Sequence, residues 1–269
     1  MDEADLIAAT PEPRTRRTLA RDLASLGLAP GMTVLVHSSL SSLGWVCGGA
    51  AAVIQALMDV LTEDGTLVMP THSSDLSDPA PWQHPPVPEA WWSTIRQEMP
   101  SYDPRRTPTR GMGRLPELFR TWPAVLRSGH PHYSFAAWGK QAAFVTEGHS
   151  LDEGLGEASP LARLYDLDGW LLLLGTTHAT NTSMHLSEYR AGVASHEETH
   201  APVMVDGARR WQTLKDIVLD SDRFEAIGAD FETVHPILSG RVGSAEARLF
   251  RQRAVVDFAV GWLRQHTHA

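Results

Sequence analysis

The chain has a single cysteine, Cys47, so no disulfide can close within it, and a reducing compartment is expected. It also lacks a long apolar run. The most hydrophobic stretch, 170–174, has the length of a strand and falls well short of the roughly 20 residues that cross a bilayer. The opening MDEADLIAATPEPRTRR carries acidic groups and no apolar segment, so a cytoplasmic protein without a secretory signal or membrane partner is expected. Basic charge is short as well. The 23 Lys and Arg face 32 Asp and Glu, a formal charge of −9, which disfavours a nucleic-acid partner and suits a cationic ligand. No internal repeat and no low-complexity tract is present.

The 269 residues suit one α/β domain spanning 1–269. Helical periodicity covers 14–26, followed by a short apolar strand, TVLVH, at 33–37. A helix at 50–61 and a strand at 65–70 continue a βαβ rhythm that predicts a largely parallel sheet with helices on both faces. Further strands are expected at 135–138 and 170–175, helices at 115–120, 184–194, 224–231 and 245–264, and a hairpin at 203–211 around Asp206–Gly207. Residues 72–110 break this rhythm. They are rich in Pro, Asp, Ser and Trp, and a long irregular insertion of that kind reads as a substrate-binding flap. Trp82, Trp91 and Trp92 strengthen the reading, because exposed indoles need a reason.

Two polar clusters follow apolar strands. GTTHATNTSMHLSEYR, 175–190, comes directly after WLLLL, with His178 at the strand tip and Thr180 or Asn181 as the helix cap. LVHSSLSSLGW, 35–45, has the same grammar around His37, Ser38 and Ser39. In open α/β sheets ligands bind beyond the carboxyl ends of strands, so both belong at one cleft. A zinc site from His178, His185 and Glu188 would use a spacing that matches no common pattern. A serine nucleophile at Ser38 or Ser39 lacks G-x-S-x-G. A general base at His178, with no metal, fits the remaining features best, and His185 reads as an ordinary helix histidine.

The motifs taken together are more specific. VHSSLSSLG (36–44), GTLVMPTHS (65–73), YDP with TPTRGMG (102–113), RSGHPHYSFAAWG (127–139), GEASPLARLYDLDGWLLLLG (156–175), HATNTSMHLSEYRAG (178–192) and VGSAEARLF (242–250) stand in order over nearly the whole chain. In them the chain resembles the aminoglycoside N3-acetyltransferase family, antibiotic-modifying enzymes unrelated in fold to the GNAT acetyltransferases, and in particular the branch found in antibiotic-producing and environmental bacteria. The resemblance implies a three-layer α/β/α sandwich around a largely parallel or mixed sheet, with acetyl-CoA as co-substrate. It implies a cationic aminoglycoside acceptor modified at the 3-amino group, with resistance as the outcome; a homodimer is compatible with it.

By position, the resemblance makes His178 the catalytic histidine. His37, Ser38, Ser39 and Leu40 become the turn at the coenzyme's thioester end, and Thr71, Arg110, Gly111 and His130 line the same cleft. Asn181, Glu188, Asp220 and Asp222 fall on the acceptor side, with Trp82 in the flap. Where the family reads GEGSP this chain has Ala158, which would resist a positive φ.

Amide formation from a thioester needs a neutral amine, and the imidazole pKa of about 6.5 suits its deprotonation. Glu188 or Asp220 would orient the ring, and the 37–40 turn would stabilise the oxyanion. With no activated nucleophile evident, direct transfer in a ternary complex is expected. Asp75, Asp78 and Glu89 would meet the polyamine, and Arg105, Arg106 and Arg110 the coenzyme phosphates. An acceptor amine from natural-product metabolism is the alternative.

Overall fold

The structure is a computed structural model and describes residues 3–266. Its strands are β1 (Thr33–Ser38), β2 (Thr66–Pro70), β3 (Leu126–Arg127), β4 (Phe135–Gly139), β5 (Trp170–Leu174), β6 (His196–Val205), β7 (Ala208–Ile217), β8 (Leu238–Val242) and β9 (Ala245–Arg251). Its helices are α1 (Glu3–Ala8), α2 (Arg16–Leu26), α3 (Gly49–Leu61), α4 (Trp92–Glu98), α5 (Arg114–Phe119), α6 (Ala142–Thr146), α7 (Pro160–Asp166), α8 (Ser183–Ala191), α9 (Phe224–Val234) and α10 (Gln252–His266). Local chemistry sets several of these ends. Thr15 and Thr18 close a capping box at the start of α2, and Gly27, at φ 115°, ends it.

Seven strands form one sheet in the order β3-β4-β2-β1-β5-β9-β8. Only β1 with β2 and β1 with β5 pair in parallel; the outer pairings are antiparallel. The sheet is therefore mixed, as one of the two expected forms. Successive side chains of a strand face opposite sides, and the two central strands are apolar on both. Val34, Val36, Leu172 and Leu174 pack with α2, α3 and α5 in one core. Leu35, Leu171 and Leu173 pack with α6 to α10 in the other. The two helical layers with the sheet between them are the three-layer sandwich.

The 245–264 segment is not one helix. Its first seven residues are β9, antiparallel to β5 with Leu171 opposite Phe250 and Leu173 opposite Arg248. Ala, Glu, Arg and Leu favour a helix locally, but burial of alternate residues against β5 outweighs that small preference. The hairpin is longer than expected, ten residues on each arm, and turns where anticipated: Asp206 (φ 49°) and Gly207 (φ 74°) fit a type I′ turn. Ala158 is not among the positive-φ residues, so its methyl group meets no backbone strain. No helix among the described residues is long and apolar enough to cross a membrane.

Residues 72–110 contain a 3₁₀ turn at 89–91 running into one short helix, α4, and are otherwise irregular. They are fastened at both ends. Tyr102 N–H donates to Pro202 O (3.0 Å), and the Arg209 guanidinium donates to Met99 O (2.7 Å) and Arg96 O (2.6 Å). The Arg127 guanidinium donates to Thr71 O (2.6 Å), Thr107 O (2.5 Å) and Ser73 Oγ (2.8 Å), and lies over the Tyr102 ring at 5.2 Å. Burial holds the Arg127 pKa below the ordinary arginine value.

Arg127→Met keeps the aliphatic stem and removes every one of these donors. The expected result is a loss of roughly 2–4 kcal/mol of stability. Limited proteolysis is expected to cut within 72–110 before any other region; a cleavage order like that of the parent chain counts against this role.

Candidate functional site

The chain leaves β1 for α3 on one face of the sheet and leaves β5 for α8 on the other. Because β1 and β5 are parallel neighbours, their exit loops diverge and open a crevice at their carboxyl ends. Ser39 N–H donates to Leu174 O (3.0 Å) and Ser42 Oγ to Gly175 O (3.1 Å), so the two strand tips are locked together. Gly175 has φ 70°, and a Cβ there would stand 2.6 Å from the Ser42 Cβ, so only glycine fits this join.

After β5 the chain makes a short 3₁₀ turn, 178–180, and enters α8. Asn181 Oδ1 accepts from Ser183 N–H (3.2 Å) at the start of the helix. His185 and Glu188 stand three residues apart, hence on one helix face. His185 Nδ1 lies 2.5 Å from Glu188 Oε2. The other carboxylate oxygen of Glu188 accepts from Asp220 N–H (2.8 Å), which fixes the pair. Since the carboxylate accepts, His185 Nδ1 carries a proton, and in the neutral ring the lone pair is on Nε2. Among the described residues none bonds that Nε2, and the ring packs edge-on against Phe224 at 4.7 Å.

His185 lines a cavity of about 300 Å³ together with His37, Ser38, His72, Gly111, Asn181 and Thr180. Burial, with the nearby His185 adding to it, lowers the pKa of His37 and of His72 to about 3, so both rings are neutral at physiological pH. The Nε2 atoms of His37 and His72 are buried and unpaired within the described structure. A second cleft of about 630 Å³ shares Ser38, Gly111, Met112, Thr176 and Thr180 with the first and continues past Ser39, Leu40, Gly49 and Arg114. A third cavity, of about 1060 Å³, lies under 72–110 and holds Asp75, Trp82, Asp103, Arg106 and Arg110.

The expected residues divide accordingly. His37, Ser38, Ser39, Leu40, Gly111 and Asn181 stand at the two joined clefts. Trp82, Asp75 and Arg110 stand at the third cavity instead, and Asp78 is held by Arg96 at 2.8 Å.

Thr71 does not line the cleft. It is fully buried, and its hydroxyl and carbonyl join the Arg127 and Ser134 network. His130 is likewise interior, accepting from His132 and Tyr133 N–H and facing Leu151 O at 3.2 Å, with burial holding its pKa well below normal. Asp220 borders a small separate pocket behind Glu188, and Asp222 N–H turns back onto Asp220, so neither wall of the His185 cavity is built by them.

His178 is 3% exposed and lines neither cleft. Its Nε2 meets Glu232 Oε1 at 3.0 Å and its Nδ1 meets Asn181 Nδ2 at 3.4 Å. Burial lowers its pKa, partly offset by Glu232. The carboxylate beside His178 is thus neither Glu188 nor Asp220. The i, i+3 spacing of His185 and Glu188 was the available signal for the pair at the cavity; Glu232, far along the chain, left none.

A carboxylate-oriented imidazole thus lines one of two joined clefts, an arrangement suited to general-base chemistry. Comparison with known proteins narrows the class. The model of the aminoglycoside 3-N-acetyltransferase family matches residues 35–264, and the chain belongs to that family as an acetyltransferase enzyme.

The SPbeta prophage-derived aminoglycoside N(3')-acetyltransferase-like protein YokD of Bacillus subtilis is 50% identical over 96% of this chain and 95% of its own. The solved structure of the Bacillus subtilis YokD protein superimposes with a TM-score of 0.98, covering 98% of each chain at 48% identity. Aminoglycoside N(3)-acetyltransferase VII of Streptomyces paromomycinus is 38% identical over 98% of this chain and 96% of its own. The structure of AAC-IIIb with CoASH, 33% identical, superimposes at a TM-score of 0.84 over 94% of this chain and 97% of that one.

Proposed function

We propose that the chain transfers the acetyl group of acetyl-CoA to the 3-amino group of an aminoglycoside, by direct transfer, with His185 as general base. The observation that carries this is the His185–Glu188 pair, aimed at a cavity that opens into the coenzyme-sized cleft. The pantetheine arm lies along Ser39 and Leu40, its phosphates near the N-terminus of α3 at Gly49 and beside Arg114, and its thioester at Ser38 and Thr176, where the clefts meet.

The acceptor amine enters from the His185 side. Its nitrogen attacks the acetyl carbon while Nε2 takes its proton, the C–S bond breaks, and the coenzyme leaves as thiolate to collect a proton. Glu188 stabilises the imidazolium that forms. The neutral His37 and the turn at Ser38 face the developing oxyanion. The 72–110 segment serves as the acceptor flap, its Trp82 and Asp75 meeting the part of the sugar that extends from the His185 cavity into the 1060 Å³ cavity. Use of acetyl-CoA puts the work in the cytoplasm, with antibiotic resistance as the outcome.

Release of coenzyme thiol from acetyl-CoA across an aminoglycoside panel tests the reading. Turnover with at least one member is expected; acetyl-CoA binding with no turnover on any member overturns the acceptor assignment.

A second acceptor class is favoured by one observation. No Asp or Glu stands among the residues walling the 300 Å³ cavity, although a polycation gains most from carboxylates. An amine of lower charge, from natural-product metabolism, fits that wall, and turnover of such an amine in preference to aminoglycosides would select it.

A further inference from the structure

We propose that His178 is a positioning residue that fixes the side-chain amide of Asn181 on the wall of the His185 cavity, with its own ring proton on Nε2. The tautomer follows from its partners. The Glu232 carboxylate, itself held by Arg248 Nε at 3.0 Å, only accepts, so the hydrogen at the 3.0 Å contact belongs to His178 Nε2. Nδ1 then presents a lone pair and accepts from Asn181 Nδ2 at 3.4 Å.

At the other end of the amide, Asn181 Oδ1 accepts from Ser183 N–H at 3.2 Å. Both ends specify the same orientation, and the second N–H of Nδ2 has no partner among the described residues; Asn181 is itself fully buried behind the cavity surface it helps to line, so a ligand reaches that N–H only by seating against the wall. That hydrogen bond goes to a carbonyl or hydroxyl oxygen of the bound substrates, since a donor there repels the attacking amine's proton-bearing form.

The ring has no freedom to do otherwise. α9 passes so close that a Cβ on Gly228 would stand 2.0 Å from His178 Cγ, and Phe250 covers it at 5.5 Å. The charged groups acting on it are Glu232, Glu225 and Arg248, and burial outweighs the two carboxylates, so its pKa lies below the ordinary value. A ring with both nitrogens engaged and no cavity surface is badly placed to take a substrate proton, yet it stands one hydrogen bond from the cavity wall.

The activity arm of the test rests on the acetyl-transfer reading; the spectroscopic arm does not. In ¹⁵N-histidine-labelled protein, the His178 signals are expected to show the neutral Nε2–H tautomer from about pH 6 to 8. In Asn181→Asp, a carboxylate faces Nδ1, and the ring is expected to become an imidazolium. A neutral Nδ1–H tautomer in the parent chain, or no change in Asn181→Asp, overturns the proposal.

In kinetics, His178→Ala is expected to lower kcat by about 10- to 100-fold with KM for acetyl-CoA within about two-fold. His178→Asn, whose amide oxygen can stand near the Nδ1 position, is expected to regain most of that loss. Both variants should keep the acidic limb of the pH–kcat profile. Loss of that limb without rescue would make His178 the base, and kcat unchanged in His178→Ala would remove the positioning role. If the parent chain turns over no acceptor, the functional reading has failed, and the tautomer and its switch in Asn181→Asp still decide the proposal.

Discussion

Replacing His185 by alanine is expected to lower kcat by about 10²–10⁴-fold while the affinity for acetyl-CoA stays within about two-fold. The size follows from the job. The acceptor amine is largely protonated at neutral pH, and no other ring at the cavity is arranged to take its proton. His37 and His72 share the wall, but burial holds them near pKa 3, where an imidazole is too weak a base to compete. His178 is enclosed by Glu232, Asn181 and Gly228. Glu188→Gln removes the charge that steadies the imidazolium and keeps a hydrogen-bond acceptor, so a smaller loss of about 10- to 100-fold is expected. Single-turnover rates with a saturating amine, alongside equilibrium coenzyme binding, separate the chemical step from substrate capture. An alanine variant that retains near-parent single-turnover rates contradicts the assignment.

The second large effect concerns stability in acid. Burial depresses the pKa of His37 and His72 to about 3 and of His149 to about 4, and moves His130 and His132 in the same direction. In the unfolded chain each ring takes a proton near pH 6.5. Unfolding therefore takes up protons below that pH. The stability tied to these rings is fully present above about pH 6.5 and drains as pH falls toward 4 and then 3.

At pH 5 the three rings with the clearest depression are neutral when folded and charged when unfolded. At about 1.4 kcal/mol per proton per pH unit, the slope is on the order of 4 kcal/mol per pH unit. A domain with ordinary marginal stability cannot sustain that far below pH 5. Urea midpoints measured from pH 7 to 4.5 should fall steeply with an uptake of at least three protons, whereas an uptake below one proton would mean that these rings are solvated.

Much of the framework was readable from periodicity. TVLVH and WLLLL announce strands buried on both faces, and the Gly, Pro and Asp-Gly signals place the turns, because these features act through the local chain. The parts that were not readable depend on partners distant in sequence. β9 has a helix-forming composition and becomes a strand because β5 and β8 pair with it on either side. The roles of Thr71 and His130 depend on Arg127 and on the loop around Leu151, which no spacing reveals.

The site shows the same division. The strand-tip grammar placed His37, Ser38, Asn181 and His178 at one crevice; the first three line it and His178 does not. It could not say which of two histidines, seven residues apart, faces the cavity, since that depends on the 3₁₀ turn that precedes α8 and on α9 closing over His178.

A crystal structure of the chain with coenzyme A and an intact acceptor amine tests the role of His185 without recourse to variants. The reacting nitrogen is predicted within about 3.2 Å of His185 Nε2, with the coenzyme sulfur between Ser38 and Thr176. A complex with that nitrogen against a different side chain and the His185 ring turned from it contradicts the account.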